Sequence, residues 1–210
     1  MDLTEIGSMR RLVPKNQDLH GNVPDNCSVA LLLLDVLNDL DFPGNSALVK
    51  AAPLLAANIS SLKSNCKHAG IPTIYVNDNH GKWRSDLPAV LSNCLRPGSL
   101  GRHMVEKIVP EPSDYVVLKP KHSIFYATPL DTLLSYLKTK TVILTGLTTN
   151  ACVLTSAGEI FVRDLKLYVP SDCVAAQDKR DHRNALQLMK KSFKADITLS
   201  TRLNLRKLLR

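Results

Sequence analysis

The chain lacks any apolar run of the roughly 20 residues that a membrane-spanning helix needs. Its longest apolar runs are short and are ended by charges such as Asp35. A secretory pattern is missing as well, because residues 1–5 are acidic and no long apolar stretch follows before Val29. We therefore expect a cytoplasmic protein with no membrane partner.

Paired cysteine spacing is also missing. The five cysteines are odd in number and contain no Cys-x-x-Cys pattern, which argues against a disulfide framework or a zinc site. Internal repeats and low-complexity segments are absent too. With 210 residues and 44% hydrophobic residues, the chain is long enough for one ordinary core. We predict an amino-terminal arm over 1–27 and a single domain over 28–210.

The net charge of +8 is concentrated near the carboxyl terminus. Residues 179–210 hold ten basic and two acidic residues. The basic residues alternate with apolar ones, as in amphipathic helices with solvated basic faces. We therefore expect no nucleic-acid partner, and attraction of anionic substrates or a subunit contact stays open.

Apolar runs and helical patterns alternate along the chain. Strands are predicted at 28–34, 71–76, 115–118, 141–144, 165–169 and 195–199. Helices are predicted at 47–68, from 129, from about 152 to 163, at 181–193 and at the carboxyl terminus. Residues 77–114 read as an irregular insertion that carries specificity. This order predicts an α/β fold, a three-layer αβα sandwich with a mostly parallel, about six-stranded Rossmann-like sheet.

Three chemically complementary residues follow three of the predicted strands. Asp35 ends the run 29–34, Lys119 ends 115–118, and Cys152 follows 141–144 in the first turn of a helix. Ligands of open parallel sheets bind at the carboxyl ends of the strands. A helix amino terminus favours a thiolate, so Cys152 is a candidate nucleophile. Taken singly, each residue has an ordinary alternative: a packed cysteine, a capping carboxylate, a surface lysine.

Four motifs carry a resemblance to a known family over about residues 19–201. They are LLLLDVLND at 31–39, VLKPKHSIF at 117–125, TGLTTNAC at 145–152 and VPSDCVA at 169–175. In this order they resemble the isochorismatase-like cysteine hydrolases, whose Asp-Lys-Cys triad matches Asp35, Lys119 and Cys152. We expect the backbone N–H groups of Thr148 and Cys152 to form the oxyanion hole. The family has a cis non-prolyl peptide at the bond matching Leu147–Thr148, which the resemblance implies here.

The resemblance implies a cysteine hydrolase that acts on a small molecule and uses no organic cofactor. Retention of Cys152 favours cleavage of a C–N bond in an amide, ureido or carbamoyl compound through a thioester. Isochorismatases, which cleave a vinyl ether, lack that cysteine and are one alternative. A non-catalytic binding protein on the same fold is another. Family members are usually homodimers or homotetramers, and we expect the same here.

A metal-assisted nicotinamidase is the remaining alternative. Nicotinamidase-like members bind a divalent ion through an Asp-x-His pair and a later histidine. Asp78 and His80 match the pair, but the later position falls near Asn93, and His103 is a poor substitute. Two ligands are too few for a tight site, so we predict no metal.

Four residues are candidate substrate contacts. His80, Trp83 and Arg84 lie in the insertion, and Phe125 follows the lysine motif. A tryptophan beside an arginine suits a flat or carboxylated ligand. The alternatives are that Trp83 and Phe125 are packing residues and that Arg84 is solvated. His182 reads as a surface residue.

Overall fold

A six-stranded parallel sheet forms the centre of the protein in a computed structural model that describes residues 26–79 and 82–209. The strands are β1 Val29–Leu34, β2 Thr73–Asp78, β3 Tyr115–Lys119, β4 Thr141–Leu147, β5 Lys166–Tyr168 and β6 Val174–Ala175. Their order is β3-β2-β1-β4-β5, and β6 pairs with the end of β4. The predicted α/β class is confirmed. The predicted arm lies outside the described residues except for its last two.

Helices cover both faces of this sheet. They are α1 Ser46–His68, α2 Leu87–Leu95, α3 Arg102–Lys107, α4 Leu130–Leu137, α5 Leu154–Phe161, α6 Lys179–Ser192 and α7 Leu205–Leu208. A π-helical turn, Thr149–Val153, precedes α5, and a short 3₁₀ turn, Ser200–Arg202, precedes α7. Every helix in the described ranges is too short or too polar to cross a bilayer.

The alternation of side chains along β1 divides the core in two. Leu31 and Leu33 pack with α1, α2 and α3 on one face, whereas Leu32 and Leu34 pack with α4, α5 and α6 on the other. All six residues of β1 are buried, which explains why the run is continuously apolar. The first charge along this strand, at Asp35, therefore lies where the strand leaves the sandwich.

The order of the strands creates a switch point beside β1. The chain moves from β1 through β2 to β3 on one side and then returns to place β4 on the other side. Crevices for ligands open at such reversals, outside the carboxyl ends of the strands. Asp35 and the π-helical turn after β4 border this point.

Two details of the predicted order differ from the structure. No strand forms over 195–199, because Asp196 bridges Tyr168 at one position and its carboxylate then accepts the Thr198 N–H, which turns the chain. The sixth strand is instead the two-residue β6, too short to give a periodic signal. The insertion 77–114 is also less irregular than predicted, since Asp86 caps α2 through the Ala89 N–H.

The insertion between β2 and β3 is tied down at several points. Arg96 bonds the Asp39 carboxylate at 2.9 Å, and the Gly101 N–H donates to the Asp39 carbonyl. At its far end, a buried salt bridge of 2.6 Å joins Asp114 to Lys63 of α1. The insertion is therefore fastened to the loop after β1 and to α1.

Gly146 allows β4 to approach β1. Its φ is +112°, and a Cβ built there would lie 2.0 Å from the carbonyl oxygen of Leu34. We predict that Gly146→Ala lowers the free energy of unfolding by about 3 kcal/mol or more, as measured by chemical denaturation.

The control is Gly98→Ala, since Gly98 also has a positive φ of +81° but faces open space. Its cost should be about 1 kcal/mol, from backbone strain alone. Equal losses in the two variants would show that the close approach to Leu34 is unimportant.

Candidate active site

The chain turns sharply at Asp35, which has a φ of +49° and is 5% exposed. Its N–H donates to the Val76 carbonyl, and its Oδ1 accepts the Asp78 N–H at 2.7 Å. The buried amide of Asn77 bonds both backbone groups of Leu37, which holds the segment after Asp35. The end of β2 therefore fixes the direction of the Asp35 carboxylate.

Lys119 is the last residue of β3 and is fully buried. Its Nζ lies 2.9 Å from Asp35 Oδ2, 3.8 Å from Asp78 Oδ2 and 3.1 Å from the Lys121 carbonyl. Burial by itself lowers the pKa of the Lys119 amine, but Asp35, Cys152 and Asp78 together outweigh it, so the pKa is raised overall. Lys119 is therefore a charged lysine inside the protein, not a surface lysine.

Cys152 brings its sulfur to this ion pair from the π-helical turn after β4. The side chain is 8% exposed, and Sγ lies 3.6 Å from Lys119 Nζ, which itself pairs with Asp35. Burial raises the pKa of the thiol to about 12, with Asp35 adding to the rise and Lys119 opposing it. Burial and the charge of Asp35 therefore oppose the thiolate that a helix amino terminus is expected to favour.

The predicted oxyanion donors lie on the same turn. The Leu147–Thr148 peptide is cis, as predicted. The Thr148 carbonyl accepts the N–H groups of Ala151 and Val153, on either side of Cys152. This geometry orders the backbone around the sulfur, and the role of the Thr148 and Cys152 N–H groups stays a prediction.

Two histidines that the sequence did not assign contact the site. His122 Nδ1 lies 3.3 Å from Cys152 Sγ. His182, predicted to be a surface residue, is half-buried on α6 and bonds Thr149 Oγ1 at 2.9 Å; burial lowers its pKa. The sequence does contain a signal for His122, because it lies three residues after Lys119 and therefore near the same strand end. No local pattern links His182 to the turn.

A polar network holds the segment that carries His122. Ser123 Oγ donates to Glu159 at 2.9 Å and accepts the N–H groups of Phe125 and Tyr126. Arg163 bonds the same Glu159 at 2.8 Å, and its guanidinium lies 3.8 Å from the centre of the Phe125 ring. The loop after β3 is thereby fastened to α5.

Comparison with known proteins agrees with this geometry. The family model described as the isochorismatase domain matches residues 29–201. The chain belongs to the isochorismatase family of hydrolases. It is 36% identical over 169 residues to the uncharacterised family protein YaaI of Bacillus subtilis, covering 80% of this chain and 92% of that protein.

Two further proteins that this chain resembles carry named activities. The ureidoacrylate amidohydrolase RutB of Methylobacterium radiotolerans is 28% identical over 188 residues, with 77% of this chain and 73% of that protein covered. The crystal structure of N-carbamoylsarcosine amidase from Thermoplasma acidophilum superposes with a TM-score of 0.66 at 25% identity. That match covers 84% of this chain and 99% of the amidase.

The predicted substrate contacts lie in different surroundings. Trp83 is 76% exposed and Arg84 is exposed, so Trp83 does not pack the insertion down. Phe125 is buried in the same core cluster as Cys152, beneath Arg163. His80 lies outside the described residues. Contact of these four residues with substrate stays a prediction.

The described residues do not assemble the ligands of a metal ion. Over 26–79 and 82–209, no three His, Cys, Asp or Glu side chains converge. Asp78 lies beside Lys119, and Asn93, near the expected later histidine, donates to Asp39. His80 lies outside the described residues, so the absence of a metal site at Asp78 and His80 stays a prediction.

Removal of the buried cation should leave a buried anion unpaired. We predict that Lys119→Met lowers the free energy of unfolding by about 3 kcal/mol, measured by urea denaturation at neutral pH.

Lys121→Met is the matched control, because Lys121 is exposed on the same segment. It should change stability by less than about 0.5 kcal/mol. Wild-type stability of Lys119→Met would contradict a charged Lys119–Asp35 pair.

Proposed function

We propose that this protein is a cysteine hydrolase that cleaves a C–N bond of a small amide, ureido or carbamoyl compound through a thioester. The observation that carries the proposal is the contact of the Cys152 sulfur with the Lys119 amine, which is paired with the Asp35 carboxylate at the carboxyl edge of the sheet. A nucleophile in contact with an acid–base group is the arrangement that covalent catalysis requires.

The first half of the reaction forms the thioester. The thiol proton moves to the Asp35 carboxylate, and the sulfur attacks the carbonyl carbon as the C=O π electrons move to oxygen. The N–H groups of Thr148 and Cys152 donate to that oxyanion, each worth roughly 3 kcal/mol of barrier. The C–N bond then breaks, and the departing nitrogen takes the proton from Asp35.

The second half hydrolyses the thioester. Asp35 accepts a proton from water as the water oxygen attacks the acyl carbon. The C–S bond breaks, and the sulfur regains a proton. Throughout, Lys119 keeps the carboxylate and the sulfur within reach of each other, because its amine contacts both.

The substrate class is supported by chemistry and by similarity. A thiol acts on acyl carbons, whereas vinyl-ether cleavage has no need of one, so the buried sulfur beside Asp35 favours acyl transfer. The similar amidohydrolase and amidase both act, by their names, on compounds with a carbamoylated nitrogen. We therefore favour ureido and carbamoyl compounds over other small amides.

An ammonia-release screen of the purified protein over small amides, ureido acids and carbamoyl compounds tests the proposal. Cys152→Ala should lower turnover of any hit by at least ~10³-fold, because it removes the nucleophile. Cys94→Ala is the control, since Cys94 is a buried cysteine on α2, away from Lys119, and should retain turnover.

The alternatives give different outcomes. Loss of turnover on chelation, with metal in the purified protein and nicotinamide as the best substrate, would favour the nicotinamidase. Equal turnover by Cys152→Ala would contradict the thioester. No hydrolysis of any compound, together with unchanged ligand binding in that variant, would favour a binding protein.

A further inference from the structure

The buried charges around Cys152 do not balance a thiolate. Lys119 and Asp35 carry opposite charges and cancel. Loss of the thiol proton to water would leave excess negative charge on a buried sulfur. The sulfur therefore lacks a compensating cation.

The imidazole of His122 occupies the position where such a cation would act. Its Nδ1 lies 3.3 Å from Sγ, a direct hydrogen-bonding contact. The His122 residue is exposed, whereas Asp35 and Lys119 are buried. A charge on an exposed side chain keeps most of its hydration, whereas a charge on a buried one does not.

The His122 backbone is held in place. Ser156 Oγ donates to the His122 carbonyl at 3.4 Å, and the following residue, Ser123, is bonded to Glu159 of the same helix. The contact between the His122 ring and the Cys152 sulfur therefore links two segments. One is the loop after β3, which is fixed to α5, and the other is the π-helical turn that precedes α5.

We propose that His122 is a further catalytic residue, the first acceptor of the Cys152 proton. The S–H bond breaks, its electron pair stays on sulfur, and the proton moves to Nδ1, which gives an imidazolium–thiolate pair. The summed charge of Cys152, His122, Lys119 and Asp35 then stays at zero. An imidazole is also a stronger base in water than a carboxylate, by about 2–3 pKa units.

This inference rests on the proposed function and changes its first step. Asp35 already accepts the Asp78 N–H and pairs with Lys119, so its oxygens are engaged. In this scheme Asp35 orients the lysine and the sulfur, while the imidazolium gives its proton to the departing nitrogen when the C–N bond breaks. Cysteines paired with a histidine in this way ionise near neutral pH.

The rate of alkylation of Cys152 by iodoacetamide tests the pair without any substrate. Mass spectrometry of the Cys152 peptide gives the rate at neutral and at alkaline pH. In His122→Asn, where the amide can contact the sulfur but not hold the proton, the rate at neutral pH should fall by on the order of tenfold. The rate in the variant should rise with pH toward the wild-type rate, because the thiol then loses its proton to solvent.

The pH profile separates proton transfer from a merely structural role. The charged groups around the ring and the sulfur are Lys119, Asp35 and Asp78 from the strand ends, with Lys121 adjacent in the chain. A loss caused by misplacement of the loop would persist at all pH values. His122→Gln, with the same expected profile, provides a second variant should the first fail to fold.

His68→Asn is the matched control. His68 ends α1 at the opposite edge of the sheet and bonds Ser64 within its own helix. Equal alkylation rates in His122→Asn and the wild type at neutral pH, fast or slow, would overturn the inference. Dependence on His122 without hydrolysis of any compound would leave the pair in place and reject the proposed function alone.

Discussion

The ion pair between Lys119 and Asp35 couples three strands at the carboxyl edge of the sheet. Because β2 lies between β1 and β3, the lysine reaches across the end of β2 to the carboxylate, and Asp78 of β2 donates its N–H to the same carboxylate. A shift of one residue in either register would separate the two charges and leave both buried. The registers and the ion pair therefore depend on each other.

The same pair determines what the sulfur can do. A neutral Lys119–Asp35 unit orients Cys152 but does not stabilise it as an anion, so burial raises the thiol pKa. The sulfur must become an anion before it can attack, so a neighbouring group has to accept the thiol proton. Two side chains are candidates for this acceptor: Asp35, which is buried, and His122, which is exposed and contacts the sulfur.

Much of this architecture could be predicted from short apolar runs that end in a polar residue. The runs before Asp35 and before the Cys152 turn are buried strands, and the run before Lys119 is a partly buried edge strand. Parallel pairing brings their ends together. The helices of the insertion are harder to predict from the sequence, because α2 and α3 are short and Pro97 and Gly98 lie between them. A sixth strand was predicted at 195–199, although one position there forms a bridge and β6 lies elsewhere.

The pKa of the Cys152 thiol and the contact between His182 and Thr149 could not be predicted from the spacing of residues in the sequence. The first depends on the depth of burial and on the sign of the nearest charge, which only coordinates supply. The second joins α6 to the turn after β4, elements about thirty residues apart. Local periodicity carries no information about such pairs.

The fastening of the insertion has a consequence for how new specificities can arise. Arg96 and Gly101 hold its middle against the loop after β1, and Asp114 holds its end against Lys63, while Trp83 and Arg84 at its start stay exposed. Residues at that exposed start can be exchanged with little effect on the strand registers that align the charged groups. If Trp83 and Arg84 contact substrate, as predicted, changes there would alter substrate preference without moving those charged groups.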